Sequence, residues 1–233
     1  NLTRTTTDRD VAEGWFEQFE GAGLDGVVAK PLKAAYVQNG RTMLKIKHER
    51  TADVVVAGYR EHKTSTPARP LLGSLLLGLY DGGKLQHVGV SASFTEKRRA
   101  ELIEELQPLV CDIKDHPWGE WATLRRAAGA SAGEPGGDGS GAQPRAGAAQ
   151  AHEPGGRMPG APSRWNAKKD LSWEPLRCER VVEVEYDQLQ SGRFRRVARF
   201  LRWRADKASA DCGYDQLEAV VPYEFLKVFT PSD

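Results

Sequence analysis

Residues 181–186 read Val-Val-Glu-Val-Glu-Tyr, and this short stretch decides the fold class. Side chains on a β-strand point alternately to opposite faces, so Val182, Val184 and Tyr186 share one face and Glu183 and Glu185 the other. A strand of this kind has one buried and one wet side. Four more strand candidates surround it: Val54–Tyr59, Leu71–Tyr80 and Leu85–Ser91 upstream, and Phe194–Trp203 downstream. Asp81-Gly82-Gly83 provides a tight connection between the second and third. Residues 96–107 predict a helix, with Thr95 as its cap and Leu102, Ile103 and Leu106 on its inner side.

Five short strands with a helix after the third is the layout of an oligonucleotide-binding (OB) barrel, although other small barrels share it. The predicted class is therefore mainly β, with the barrel over residues 49–230. Residues 128–163 interrupt it: ten glycines, five prolines and nine alanines fill most of the segment and hydrophobic anchors are nearly absent. Such a composition cannot offset the entropy of its own ordering, so a long disordered loop is expected, dispensable for folding. Closing a barrel around a long loop costs only slowly more with loop length.

Residues 1–48 read differently. Val11, Trp15 and Phe19 recur at helical spacing within 9–20, with Thr7 or Asp8 placed to cap. Gly21 and Gly23 end the helix, and strands are expected at Leu24–Lys30 and Thr42–Lys47. One helix and two strands cannot cover both faces of a sheet. This α+β segment is expected to be the remnant of a larger domain, either folded back on the rest or poorly ordered.

The formal charge of +1 conceals an uneven distribution, since residues 193–207 carry seven Arg and Lys against one acid, Asp206. That cluster reads either as a solvated hairpin or as an electrostatic footprint for phosphate. The three cysteines, Cys111, Cys178 and Cys212, are odd in number and far apart. They argue against a disulfide framework or a zinc site and for a reducing compartment. No run approaches the roughly 18 apolar residues of a membrane span, and no apolar signal region opens the chain. A cytoplasmic monomer without membrane contact is the expectation.

Two lysines, Lys45 and Lys47, lie two residues apart on a predicted strand and so project to one face, opposite Leu44 and Ile46. On an outward face they are merely solvated; facing a cleft they form a concentrated cationic site for phosphate. The five histidines form no metal-ligand spacing. Gly21-Ala22-Gly23 is too short for a dinucleotide or P-loop signature. Ser91 and Ser93 lack a partner base.

Asp25-Gly26-Val27-Val28-Ala29-Lys30, followed by Lys45-Ile46-Lys47, resembles the last two motifs of the nucleotidyltransferase core of ATP-dependent DNA ligases. Arg202-Trp203-Arg204-Ala205-Asp206-Lys207 resembles the terminal Arg-x-Asp-Lys motif of their barrel domain. Ser163-Arg164-Trp165-Asn166 and Lys169-Asp170-Leu171-Ser172-Trp173 resemble the segment before the fourth barrel strand in small ligases of the mycobacterial type. The likeness covers nearly everything except 128–162 and the last twenty or so residues. It implies ATP and Mg²⁺ as cofactors and nicked duplex DNA as partner.

By that resemblance Asp25 helps hold the metal near the nucleotide phosphates, in a place where many members carry glutamate. Lys45 and Lys47 contact the α-phosphate, with Lys30 in support. Arg204, Asp206 and Lys207 orient the β- and γ-phosphates for departure. Arg164, Lys168, Lys169 and Arg202 are the candidate contacts to the DNA backbone, and Trp203 is read as a packing residue. The implied reaction has three steps: ATP adenylates a lysine, AMP passes to the 5′-phosphate of a nick, and the 3′-hydroxyl seals the strand, in repair or recombination. The Lys-x-Asp-Gly segment that holds the nucleophile in this family has no counterpart here. The chain is therefore expected to be a fragment inactive in self-adenylation. A non-enzymatic DNA-binding OB module and a broken gene product are the alternatives.

Overall fold

A computed structural model of the chain describes residues 3–119, 172–218, 221 and 223–229. The expected loop 128–163 and the candidates Arg164, Lys168 and Lys169 lie outside the described residues.

In chain order the elements are α1 (Arg9–Gln18), β1 (Gly26–Ala29), β2 (Leu44–Lys47), β3 (Arg50–Glu61), β4 (Leu72–Asp81), β5 (Lys84–Ser91), α2 (Glu96–Leu106), β6 (Glu174–Pro175), β7 (Val181–Tyr186), β8 (Leu189–Gln190), β9 (Arg193–Phe194) and β10 (Arg199–Trp203). The main sheet runs β10-β7-β3-β4-β5, with β6 added to β3. Numbered by their place in the barrel, its strands are ordered 5-4-1-2-3. All ladder pairs are antiparallel. The two outer strands approach each other in parallel at one bridge, Ser91 with Ala198, where the Ala198 amide donates to the Val90 carbonyl at 2.9 Å. The architecture is a partly open OB barrel, mostly β with few helices.

The alternation that opens the sequence reading holds. Val182, Val184 and Tyr186 are buried, while Glu183 and Glu185 face outward and take arginines from β10. The core is completed from β3, β4 and β5: Val54, Val55, Val56, Leu75, Leu76 and Leu77 are wholly buried. Asp81 and Lys84 pair across Gly82 and Gly83, both at positive φ, as a two-residue hairpin turn requires. Thr95 caps α2 through its hydroxyl, which accepts from the Arg98 amide, and Leu102, Ile103 and Leu106 pack inward. Trp118, fully buried, donates its indole N–H to the Leu85 carbonyl at 2.8 Å, so its large apolar area enters the core without an orphaned donor.

Two expectations are corrected. The strand expected over Phe194–Trp203 is two pieces. Ser191 and Gly192, at φ 50 and 71, turn the chain so that β8 and β9 form a small hairpin, and a separate β10 begins at Arg199. Nothing in the hydrophobic pattern marks the break, because Phe194 and Phe200 both face apolar neighbours. The helix expected over 9–20 ends at Gln18 and tightens into a 3₁₀ turn over Phe19–Ala22. Asp8 caps it as expected, but Val11 is exposed and α1 buries no residue.

The N-terminal segment does fold back. Phe19 is buried against Tyr223, with ring centroids 5.4 Å apart, and a Cβ at Gly21 would meet the backbone of Val221 and Tyr223. His48 stacks on Phe16 at 3.8 Å. The β1–β2 ribbon stands apart from the main sheet and leaves Val28, Leu44 and Ile46 exposed.

Candidate functional site

The first charged cluster is built by the ribbon. Gly26 opens β1 at φ 138, facing Lys47 in the register, and a Cβ there would fall onto the Ile46 carbonyl. Only glycine lets the strands approach this closely. The approach brings Asp25, just before β1, between the two lysines of β2. Its Oδ2 lies 3.2 Å from Lys45 Nζ and 3.0 Å from Lys47 Nζ. The Lys47 ammonium above all holds the Asp25 carboxyl well below the ordinary carboxylate range; burial opposes it, and Lys45 adds to the lowering. The pair on one strand face, inferred from spacing, is thus one group of three charges with a net positive charge. Lys30 is exposed beyond the end of β1 and takes no part in these contacts.

The second cluster forms at the end of β10. Arg204 Nη1 donates to both oxygens of Asp53 at 2.9 and 2.8 Å, and Nε and Nη2 donate to Asp206 at 3.0 and 2.9 Å. Its amide donates to the Val181 carbonyl at 2.9 Å, which ties it to the start of β7. Asp206 raises the Arg204 pKa, Asp53 adds to the effect, and Arg204 in turn pulls Asp206 down to about 2. Lys207 lines a cavity of about 270 Å³ with Arg204, Trp203, Arg180 and Leu109. Arg180 lies 5.2 Å from the centre of the Trp203 ring, and the Trp203 indole donates to Glu105 at 2.7 Å. Trp203 is held on both sides, in keeping with its reading as a packing residue.

Sequence reasoning missed two members. Asp53 is the acid that fixes Arg204, and Gln216 holds Asp53 in turn, accepting from its amide at 2.8 Å and donating to its carbonyl at 3.0 Å. A lone acid inside the apolar run of β3 was the available signal. Arg50 is the other. Its guanidinium is nearly enclosed and pairs with Glu20 through Nη2 at 2.6 Å and with Glu218 through Nε at 2.7 Å. It joins the turn after α1, the first residue of β3 and the C-terminal segment. Arg202, expected to face DNA, pairs with Glu183 at 2.6 Å.

For phosphate, these residues have the right chemistry: ammonium and guanidinium groups that donate to anionic oxygens. For magnesium, Asp25 offers a single hard carboxylate, which suits an ion that takes few protein ligands and completes its shell with phosphate and water. Among the described residues no three His, Cys, Asp or Glu side chains gather as a metal cage. No described helix is long and apolar enough to cross a membrane.

The fold and site together are an OB-type barrel preceded by a separate ribbon, each carrying cations of a kind suited to phosphate. The family model described as the ATP dependent DNA ligase C terminal region matches residues 68–130. DNA ligase C2 of Mycolicibacterium smegmatis is 48% identical over 220 residues, covering 94% of this chain and 54% of the relative. DNA ligase C of Mycobacterium tuberculosis is 48% identical over 219 residues, covering 94% and 53%. DNA ligase C1 of M. smegmatis is 38% identical, covering 98% and 54%. Among solved structures, the ligase domain of M. tuberculosis LigD covers 83% of this chain and 48% of its own, at 23% identity and a TM-score of 0.45. The chain is similar over nearly its whole length to DNA ligases of the mycobacterial C type, and over residues 68–130 to the C-terminal region of ATP-dependent DNA ligases. It spans about half the length of the curated relatives it matches.

Proposed function

We propose that this chain provides the phosphate-handling part of an ATP-dependent DNA ligase that seals nicks in duplex DNA. The observation that carries the reading is the trio Asp25, Lys45 and Lys47, set on one face of a ribbon that its glycine draws tight. In this reading Lys45 and Lys47 turn from Asp25 to the α-phosphate oxygens and stabilise the charge that develops during transfer. Magnesium, when bound beside Asp25, supplies further neutralisation of the phosphates. Lys30 serves as an outer phosphate contact. Arg204 and Lys207 hold the β- and γ-phosphates, with Asp206 steering the guanidinium. Arg204 forks onto two carboxylates in the free chain, so it must exchange one of them for phosphate to act.

The reading also holds that residues 1–48 are the end of a nucleotidyltransferase domain and 49–230 the barrel domain. Arg164, Lys168, Lys169 and Arg202 are carried as backbone contacts to DNA, Arg202 on condition that it releases Glu183. A nucleophile must be deprotonated and aligned with the α-phosphate, whereas a contact lysine needs only its charge. Lys30, Lys45 and Lys47 are contacts, so this chain with magnesium and labelled ATP should form no covalent adduct. The test is denaturing electrophoresis after labelling, on this chain and on the same chain joined to an adenylation core containing Lys-x-Asp-Gly. Label on the joined protein alone, lost in Lys45→Ala and Arg204→Ala, supports the reading. Label on the chain by itself, or variants that label normally, overturns it. DNA binding without either effect would favour the non-enzymatic module.

A further inference from the structure

The cavity of about 270 Å³ between the start of β7 and the end of β10 has a cation on its wall that belongs to none of the motifs read from the sequence, Arg180. We propose that Arg180 is a further phosphate contact, which with Lys207 holds the two phosphates that leave ATP as pyrophosphate. The proposal rests on the reading of this cluster as the place of the β- and γ-phosphates.

The three cations of the cavity are not equivalent. Arg204 meets Asp53 at 2.8 Å and Asp206 at 2.9 Å, so two carboxylates outweigh its single positive charge. An anion drawn to Arg204 also meets those acids, and the attraction is largely cancelled. Among the described residues neither Arg180 nor Lys207 forms an ion pair. Glu179, on the same wall, is taken by Arg177 at 2.7 Å. Three cations therefore stand against two unshared carboxylates, and it is Arg180 and Lys207 that make the cavity positive.

The position of Arg180 is fixed from two directions. Its carbonyl accepts from the Val56 amide at 2.9 Å, and the next carbonyl, of Val181, accepts from the Arg204 amide at 2.9 Å. Its guanidinium lies 5.2 Å from the centre of the Trp203 ring, and that ring is itself held by its indole N–H on Glu105 at 2.7 Å. A guanidinium stacked on a ring engages its flat face and leaves the N–H groups of its rim free to fork onto phosphate oxygens. In adenylation the lysine nitrogen of the core bonds the α-phosphorus and gives up a proton to water. The bond from that phosphorus to the bridging oxygen breaks, and its electron pair leaves with pyrophosphate. A cation already held beside the leaving group stabilises that charge without rearranging.

The experiment has two parts. Isothermal titration calorimetry of this chain with inorganic pyrophosphate in metal-free buffer should show saturable binding. Arg180→Gln should weaken it about tenfold, the scale of one charge-assisted hydrogen bond. Arg180→Lys keeps the charge and should lose less, while the two variants melt alike, since both lack the stacked guanidinium. Pyrophosphate that does not bind, or that binds the Arg180→Gln chain as tightly, overturns the proposal. So does AMP bound as tightly as pyrophosphate with the same loss in the variant, which makes the cavity a general anion site. The second part uses the chain joined to an adenylation core containing Lys-x-Asp-Gly. There Arg180→Gln should lower kcat/KM for self-adenylation about tenfold. Sealing of a nick that already carries AMP should fall far less, because that step releases AMP and no pyrophosphate. Equal losses in the two steps make Arg180 a structural partner of Trp203 and overturn the proposal. Pyrophosphate bound through Arg180, with a joined enzyme insensitive to Lys45→Ala and Arg204→Ala, keeps this contact and removes the wider nucleotide reading.

Discussion

The β1–β2 ribbon and the β3–β4 pair are both antiparallel, and both alternate apolar and polar or pack apolar residues at every step. In β4, Leu75, Leu76, Leu77 and Leu79 are wholly buried; in β2, Leu44 is 72% exposed and Ile46 48%. The difference is the second layer. The barrel strands curve around a shared interior and receive α2 and Trp118, whereas the ribbon has α1 beside β1 and still leaves Leu44 and Ile46 exposed. The candidate nucleotide site therefore sits on the part of the molecule that the core secures least. Its geometry depends on local devices: a glycine that permits close strand approach, one carboxylate between two lysines, and the Arg50 bridge that anchors the adjoining turn.

The contrast is broken most severely in the core. Leu76→Ala should cost about 2–5 kcal/mol of unfolding free energy in urea titration, as deletion of a fully buried leucine does. A loss under about 1 kcal/mol would mean that the barrel is no better packed than the ribbon. Next comes the site. In a full-length ligase carrying this segment, Lys47→Ala should lower the rate of self-adenylation by roughly 10²–10³, the scale of losing one preorganised electrostatic contact, with little change in melting temperature. A large fall in stability with normal rate per folded molecule would make Lys47 a structural partner of Asp25 and nothing more.

The third prediction uses acid. His87 is buried, bonds the Leu77 carbonyl through Nδ1 and has its pKa lowered from 6.5 to about 4, chiefly by burial. Below pH 6.5 the unfolded chain takes up a proton that the folded chain refuses. Stability is therefore full above that value and falls as pH drops toward 4, by roughly 3 kcal/mol at the limit. Thermal melts from pH 7 to 4 should show this slope, and His87→Gln should flatten it. Asp25 and Asp206 act at lower pH. Both have lowered pKa values, so their ion pairs are intact above the ordinary aspartate value of 3.8 and fail as pH falls below it, for Asp206 around 2. An acid limb unaffected by His87→Gln would place the sensitivity elsewhere. Smallest of all, Leu44→Ala on the exposed ribbon should move stability by no more than about 0.5 kcal/mol. A larger loss, measured on this chain, would show that the exposed face packs against something in solution.

Most of the barrel was legible because its signals are local. Alternation in 181–186, the paired glycines at 82 and 83, and the Thr95 cap each act within a few residues of chain, and each appears in the structure as read. The division of 194–203 was not legible, since the turn at Ser191–Gly192 precedes the run and both halves are apolar enough to continue. Likewise the exposure of Val11 follows from what α1 does not touch, which no periodicity reports.

The sequence by itself determined the strand faces of β7, the hairpin turn at Gly82 and Gly83, the two lysines on one face of β2 and the presence of a basic run near the end. Tertiary structure alone decided what those charges do. Asp25 reaches Lys45 and Lys47 only because Gly26 lets two strands close together. Arg204 is fixed by Asp53, 151 residues away along the chain. The arginines of β10 are cancelled by glutamates of β7, while Arg180, one residue before β7, has no such partner among the described residues. Charge is written residue by residue, but its compensation depends on which carboxylate lies within a few ångströms, and that distance is set by strand register and barrel closure.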